Sequence, residues 1–229
     1  SHTYMPFEVP EQEQVDAFLP PYEYRHQLGP ENPTSLNTVT LPGRRPDLDG
    51  NFMPGYMEIR RNLHMELREA IEVYARIDSE FKSIFGRGGS PVAERYLCDD
   101  AEYVAVALGS MSNQIKDAVD ELREEGIRAG LLALALYRPV PSQFIVSELS
   151  GRKGVVVFEK ALSPGNTGAV FGDLRATLYE CSSRPFLRNY ILGLGGRTYK
   201  TSDFTGAMRE SVENGSEQSP EPGWIGLNR

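Results

Sequence analysis

Cysteine is scarce in this chain of 229 residues: Cys98 and Cys181 are the whole supply, and no Cys-x-x-Cys occurs. Two thiols cannot complete a four-sulfur zinc or iron–sulfur site. They read as reduced thiols of a cytosolic protein. A basic block is also missing. The chain has 32 acidic and 24 basic residues, a formal charge of −8, which argues against a nucleic-acid backbone as partner. Long hydrophobic runs are missing too. The longest, Ala129 to Tyr137, is far below the ~20 residues that span a bilayer, and no signal-peptide pattern opens the chain. A cytoplasmic location with no membrane contact is therefore expected. Histidine is limited to His2, His26 and His64, with no Asp, Ser or Cys constellation beside them, so a catalytic triad is not supported. There is no Gly-Lys-Ser/Thr phosphate loop, and no Asp/Glu pair stands out as general acid and base.

What is present suits a globular protein with a real core, at 40% hydrophobic and 24% charged residues. The length fits one domain plus extra segments. Residues 1–54 hold nine of the sixteen prolines, including Pro20-Pro21, Pro42 and Pro46, and show no sustained periodicity. Proline fixes φ and pushes the preceding residue towards extended backbone, so this stretch reads as an extended proline-rich arm. Its aromatics (Tyr4, Phe7, Phe18, Tyr22, Tyr24) suggest that it lies across an apolar surface, its own or a partner's.

Residues 55–90 change character. Ile59, Leu63, Leu67, Ile71, Tyr74, Ile77, Phe81 and Ile84 recur every three or four positions, which is a helical stripe. The spacing predicts one helix of about 45 Å at 1.5 Å per residue, stopped by Gly86, Gly88 and Gly89. A helix this long is expected to brace two bodies.

Residues 91–213 alternate strand and helix. Strands are predicted at 103–108, 130–137, 154–159 and 189–192, and helices around 115–122, 142–149, 169–179 and 202–212. The pattern means right-handed crossovers and an α/β fold, with a mostly parallel sheet flanked by helices on both faces. Residues 214–229 form a tail rich in Gly, Ser, Pro and Glu, expected to be loose as far as Trp224.

Ligands in open α/β sheets sit outside the carboxyl ends of the strands, so the loops there carry the candidates. Gly109 and Ser110 open a helix whose free N–H groups can hold an anion, or they form an ordinary tight turn with an N-cap. Arg138, between Tyr137 and Pro139, can clamp a carboxylate or phosphate, or serve in a salt bridge within or between chains. Glu159 closes a strand at the same edge and can simply pair with Arg138. Gly195, Gly196 and Arg197 follow the last strand. Their loop fails the dinucleotide fingerprint, since Thr198 stands where the third glycine belongs. No catalytic residue and no metal ligand is assigned. An acidic α/β module with a docking arm and helix describes a subunit better than a free enzyme.

Several stretches together resemble one family. Val15 to Tyr22 is similar to the arm of pyruvate:ferredoxin oxidoreductase alpha subunits. Phe85-Gly86-Arg87, Glu94-Arg95-Tyr96, Asp100-Ala101-Glu102 and Leu108-Gly109-Ser110-Met111 follow in the family's order. Val119 to Gly126, Tyr137-Arg138-Pro139-Val140-Pro141 and Tyr190 to Arg197 complete the set. Val140 stands where the family usually has Phe. The resemblance implies a transketolase-C-terminal-like α/β domain preceded by a linker. It implies an enzyme that decarboxylates pyruvate on thiamine diphosphate with Mg2+, passes electrons through [4Fe-4S] clusters to ferredoxin, and transfers acetyl to coenzyme A, or runs the reverse. The rest of alpha and the beta, gamma and delta subunits are the implied partners, and the cofactors are expected on those other chains. Ser1-His2-Thr3-Tyr4 resembles family sequence just after the thiamine-contacting half, so a split or cleaved subunit is expected. Other 2-oxoacids (2-oxoglutarate, a branched oxoacid, oxalate) and a stand-alone nucleotide-binding module remain as alternatives.

Overall fold

A computed structural model describes residues 9–21, 55–215 and 221–228. The remaining parts of the proline-rich arm and of the tail lie outside the described residues. The chain divides into two compact units, one within residues 8–88 and one within 89–229.

Among the described residues the first unit holds two helices. Helix α1, Gln12–Phe18, interrupts the stretch expected to be extended. It forms because no proline falls between Glu11 and Leu19 and because its start is capped. The Glu11 N–H donates to Gln14 Oε1 at 3.2 Å, and Gln12 Nε2 bonds Asp16 one turn on at 2.7 Å. Two turns are too short to show a period, so the pattern did not reveal it. Helix α2, Tyr56–Phe85, starts at Gly55, whose N–H donates to Glu58 (2.9 Å), and stops at Gly86 in the left-handed region (φ 64). Phe18 of α1 packs edge-on against Phe81 and Phe85 of α2, with ring centroids 5.3 and 5.6 Å apart. Gln14 Nε2 donates to the Ile84 carbonyl at 3.1 Å. No residue of α2 is fully buried.

The second unit is a six-stranded sheet in the order β1-β3-β2-β4-β5-β6. The strands are β1 (Ala93–Tyr96), β2 (Tyr103–Leu108), β3 (Ala129–Leu134), β4 (Gly154–Glu159), β5 (Phe186–Ile191) and β6 (Gly223–Trp224). Among the described strands only β1 runs antiparallel, beside β3. Helices α3 (Met111–Glu124), α4 (Ser142–Leu149), α5 (Ala169–Leu178) and α6 (Thr201–Asn214) complete the unit. The central strands are buried on both faces, so they read as continuous apolar runs. Ala105, Ala107, Val156 and Phe158 point to the face covered by α3 and α6. Val104, Val106, Val155 and Val157 point to the face covered by α4 and α5.

Two strands exceed the sequence expectation. β1 is half polar and lies at an edge. Glu94 pairs with Lys116 (2.6 Å), and Arg95 pairs with Asp99 (2.8 Å) and Glu148 (2.9 Å), so its ladder is invisible to a search for apolar runs. β6 lies where a loose tail was expected. It pairs with the end of β5, and Ile225 N–H continues the ladder to Ile191 O at 3.0 Å. β3 stops at Leu134, earlier than the apolar run suggests, because Ala135 and Leu136 turn their N–H groups to the Val92 carbonyl.

Candidate functional site

The chain order along the sheet has one reversal. From β2 the chain crosses to β3 on one side, returns over β2 to β4, and continues outward to β5. The loop leaving β2 therefore rises to α3 on one face, while the loop leaving β4 goes to α5 on the opposite face. The two diverge above the carboxyl ends of β2 and β4. This is the switch point at which open α/β sheets bind ligands. Gly109 and Ser110 leave β2 there, and residues 160–168 leave β4.

Gly109 adopts φ 76, and its carbonyl accepts the Ser112 N–H at 3.1 Å. Ser110 precedes α3 in helical geometry (φ −64, ψ −19) rather than in the extended geometry of an ordinary N-cap. Ser112, in the first turn, is buried, and its Oγ bonds to nothing in the described chain.

Arg138 does not pair with Glu159. Its guanidinium meets Asp173 of α5 at 2.7 Å and lies 4.0 Å from the centre of the Tyr137 ring. Tyr137 Oη donates to the same Asp173 at 2.6 Å, and burial, helped by that bond, pushes its phenol pKa up. Within the chain, Arg138 thus forms a salt bridge. Arg197 is also engaged. Its Nη1 donates to the Gly226 carbonyl and lies 3.5 Å from Asn228 Oδ1. It tethers the segment after β6, and the positive φ of Gly195 (64) and Gly196 (79) shapes the 3-10 turn that aims it.

Glu159 ends β4 with only 4% of its surface exposed. Its two oxygens receive the Val170 N–H (2.8 Å) and the Phe171 N–H (2.9 Å) from the first turn of α5. Asn189 Nδ2 adds a third donor at 3.1 Å, and Asn189 Oδ1 in turn accepts the Gly168 N–H at 2.9 Å. Burial raises the Glu159 pKa above the ordinary carboxylate range, against the lowering effect of these N–H donors. Sequence reasoning found Glu159 as the charge that ends a buried strand, but it missed Asn189 and Gly168. The signal for Asn189 was a polar residue inside the strand Phe186–Ile191. Only the parallel register, which sets Val157 beside Asn189, brings it to Glu159.

The strand order thus sets Gly109, Ser110 and Glu159 at the ends of the neighbouring strands β2 and β4, with Arg138 after β3 and the Gly195–Arg197 turn after β5, one strand away on either side. Among the described residues no group of three or more His, Cys, Asp or Glu is placed to hold a metal ion. Cys98 is buried, bonds through Sγ to the Leu131 carbonyl (3.1 Å) and has its pKa pushed up by burial. These donors do not fit an iron–sulfur cluster. No described helix is long and apolar enough to cross a membrane.

Comparison with known proteins follows the sheet. The profile of the pyruvate:ferredoxin oxidoreductase core domain II matches residues 101–204. Pyruvate synthase subunit PorA of Pyrococcus abyssi is 36% identical over all of this chain and 56% of its own length. Ketoisovalerate oxidoreductase subunit VorA of the same organism is 32% identical, with the same coverage. The chain thus spans just over half the length of the curated relatives it matches. A solved 2-oxoglutarate:ferredoxin oxidoreductase from Magnetococcus marinus, with 2-oxoglutarate, coenzyme A and succinyl-CoA bound, is similar over 71% of this chain and 25% of that one, at 18% identity and a TM-score of 0.43. On the sequence matches, the chain belongs to the 2-oxoacid:ferredoxin oxidoreductase family, to which pyruvate:ferredoxin oxidoreductases belong, and corresponds to a portion of an alpha subunit.

Proposed function

We propose that this chain is part of a pyruvate:ferredoxin oxidoreductase in the cytoplasm, a complex that converts pyruvate and coenzyme A to acetyl-CoA and CO2 while reducing ferredoxin, or runs that reaction in reverse. The observation that carries the reading is the 36% identity to a pyruvate synthase subunit along the whole chain. In this reading the remaining alpha, beta, gamma and delta portions bind thiamine diphosphate with Mg2+ and the [4Fe-4S] clusters, which supply the decarboxylation and electron-carrying chemistry. This chain supplies assembly and domain-interface surface. The exposed stripe of α2 supports that role: Ile59, Leu63, Leu67, Tyr74 and Ile77 are each between 37% and 46% exposed. So many apolar side chains at helical spacing are the ordinary mark of a contact surface.

A second reading has its own support. The 32% identity to a ketoisovalerate oxidoreductase subunit favours a branched 2-oxoacid as the alternative substrate. The test is to purify the chain with whatever subunits accompany it and to follow ferredoxin or viologen reduction with pyruvate, 2-oxoisovalerate, 2-oxoglutarate and oxalate. Coenzyme A-dependent reduction with pyruvate as the best substrate is the expected result. Preference for 2-oxoisovalerate would move the assignment to the second reading. A colourless chain that purifies alone and turns over none of the four would overturn both.

A further inference from the structure

The strong cations of the strand edge have partners inside the chain. Arg138 is held by Asp173 and Arg197 by the segment after β6. What remains at the β2/β4 switch point is the loop of residues 160–168. Both of its ends converge on one carboxylate. Glu159 begins the loop; Val170 and Phe171, just after it, donate their N–H groups to Glu159. Gly168 is drawn in through Asn189, which also bonds Glu159. Asn189 Nδ2 further reaches the Val157 carbonyl at 3.3 Å, fixing the amide to the strand itself.

Burying a carboxylate is costly unless donors replace its water. Here N–H donors do so, and no described cation forms an ion pair with it. An apolar residue at position 159 would pack at lower cost. It would leave the N–H groups of Val170 and Phe171 without this acceptor. The carboxylate is therefore matched to what it fastens. The loop tip is closed on itself as well: Ser163 N–H donates to Thr167 O (3.0 Å), Asn166 N–H donates to Ser163 O (2.9 Å), and Gly165 turns the chain at φ 78. Lys160 leaves the strand and lies over the Tyr199 ring, 4.7 Å from its centre.

We propose that Glu159 and Asn189 are positioning residues: their buried latch holds residues 160–168 fixed beside the β2/β4 switch point, and turnover in the complex needs that loop in place. The proposal rests on the family reading above and adds to it the part of this chain that the reaction feels.

The test uses the full chain co-expressed with its accompanying subunits and compares Glu159→Ala, Glu159→Gln and Gly168→Ala with wild type. Gly168 has an ordinary φ of −59, and a methyl there would run into the Glu159 carboxylate without changing any charge. Two quantities are read: amide exchange of residues 160–172, and kcat and KM for the 2-oxoacid. Glu159→Ala and Gly168→Ala should speed exchange in that segment about tenfold or more, while β2 and β3 stay protected. They should lower kcat about tenfold or more with KM held within about twofold. Glu159→Gln keeps one acceptor and should fall between. Unchanged exchange would overturn the latch. A loosened loop with wild-type kcat would overturn its role in turnover. Should Glu159→Ala fail to fold, Gly168→Ala and Glu159→Gln decide the same question. If the wild-type complex turns over no 2-oxoacid, the family-based function fails instead, and the exchange comparison still decides the latch.

Discussion

Leu67 on α2 and Leu122 on α3 are the same side chain on two amphipathic helices, yet Leu67 is 46% exposed and Leu122 fully buried. The contrast extends to whole units. In residues 89–229 the apolar positions of α3 to α6 face a sheet that covers them. In the helical unit α2 shows its stripe to solvent and gains local packing near Phe81 and Phe85. The stripe spacing is the same in both, so the pattern marks a face that wants cover without saying what supplies it. A sheet in the same unit makes a core. Among the described residues of its unit α2 has no such sheet, and its stripe is a surface suited to a neighbour.

The comparison can be broken first in the sheet unit. Phe204 is fully buried, with its ring 5.0 Å from that of Phe158 and 5.4 Å from that of Tyr199. Phe204→Ala should cost about 3–5 kcal/mol in denaturant unfolding. A loss below about 1 kcal/mol would mean that this core is not close-packed. On α2 the expectation reverses. Leu63→Ser with Leu67→Ser should change the stability of the chain by less than about 1 kcal/mol yet reduce the yield of co-purifying subunits. Unchanged recovery of the complex would remove the stripe from the assembly surface.

The third prediction concerns pH. Burial raises the folded pKa of Glu159 above its unfolded value. The stability linked to this group is then fully present below the unfolded pKa and lost as pH rises through the folded one. Glu159→Gln does not titrate. Its Tm should therefore gain on that of wild type as pH rises from the ordinary carboxylate range to neutrality. A difference that stays flat with pH would mean that the N–H donors cancel the effect of burial. The smallest effect is expected at Arg138, whose side chain is 54% exposed and paired with Asp173. Arg138→Ala should alter stability by about 1 kcal/mol or less, a screened surface pair being worth little. Strong loss of turnover from that change would give Arg138 a role at the functional site.

The strands 103–108 and 154–159 were legible because burial on both faces leaves no polar position inside the run, Glu159 standing only at its end. α2 was legible because thirty residues repeat its period many times. α1 was hidden by brevity, β1 by its edge charges, and β6 because two residues carry no pattern. The candidate site divides in the same way. Glu159 and Arg138 could be picked out as charges at strand ends. Their partners could not, since Asp173 and Asn189 lie on other elements and meet them only across the sheet.

By itself the sequence determined the α/β class, the parallel core and the long helix, because hydrophobic period is a local property of the chain. It also carried the family resemblance, in short motifs kept in order. The tertiary structure alone decided which charges meet. Pairing distances depend on strand order and register, and those arise when the whole sheet closes. That is why Arg138 found Asp173 and left Glu159 to gather backbone N–H groups at the start of α5.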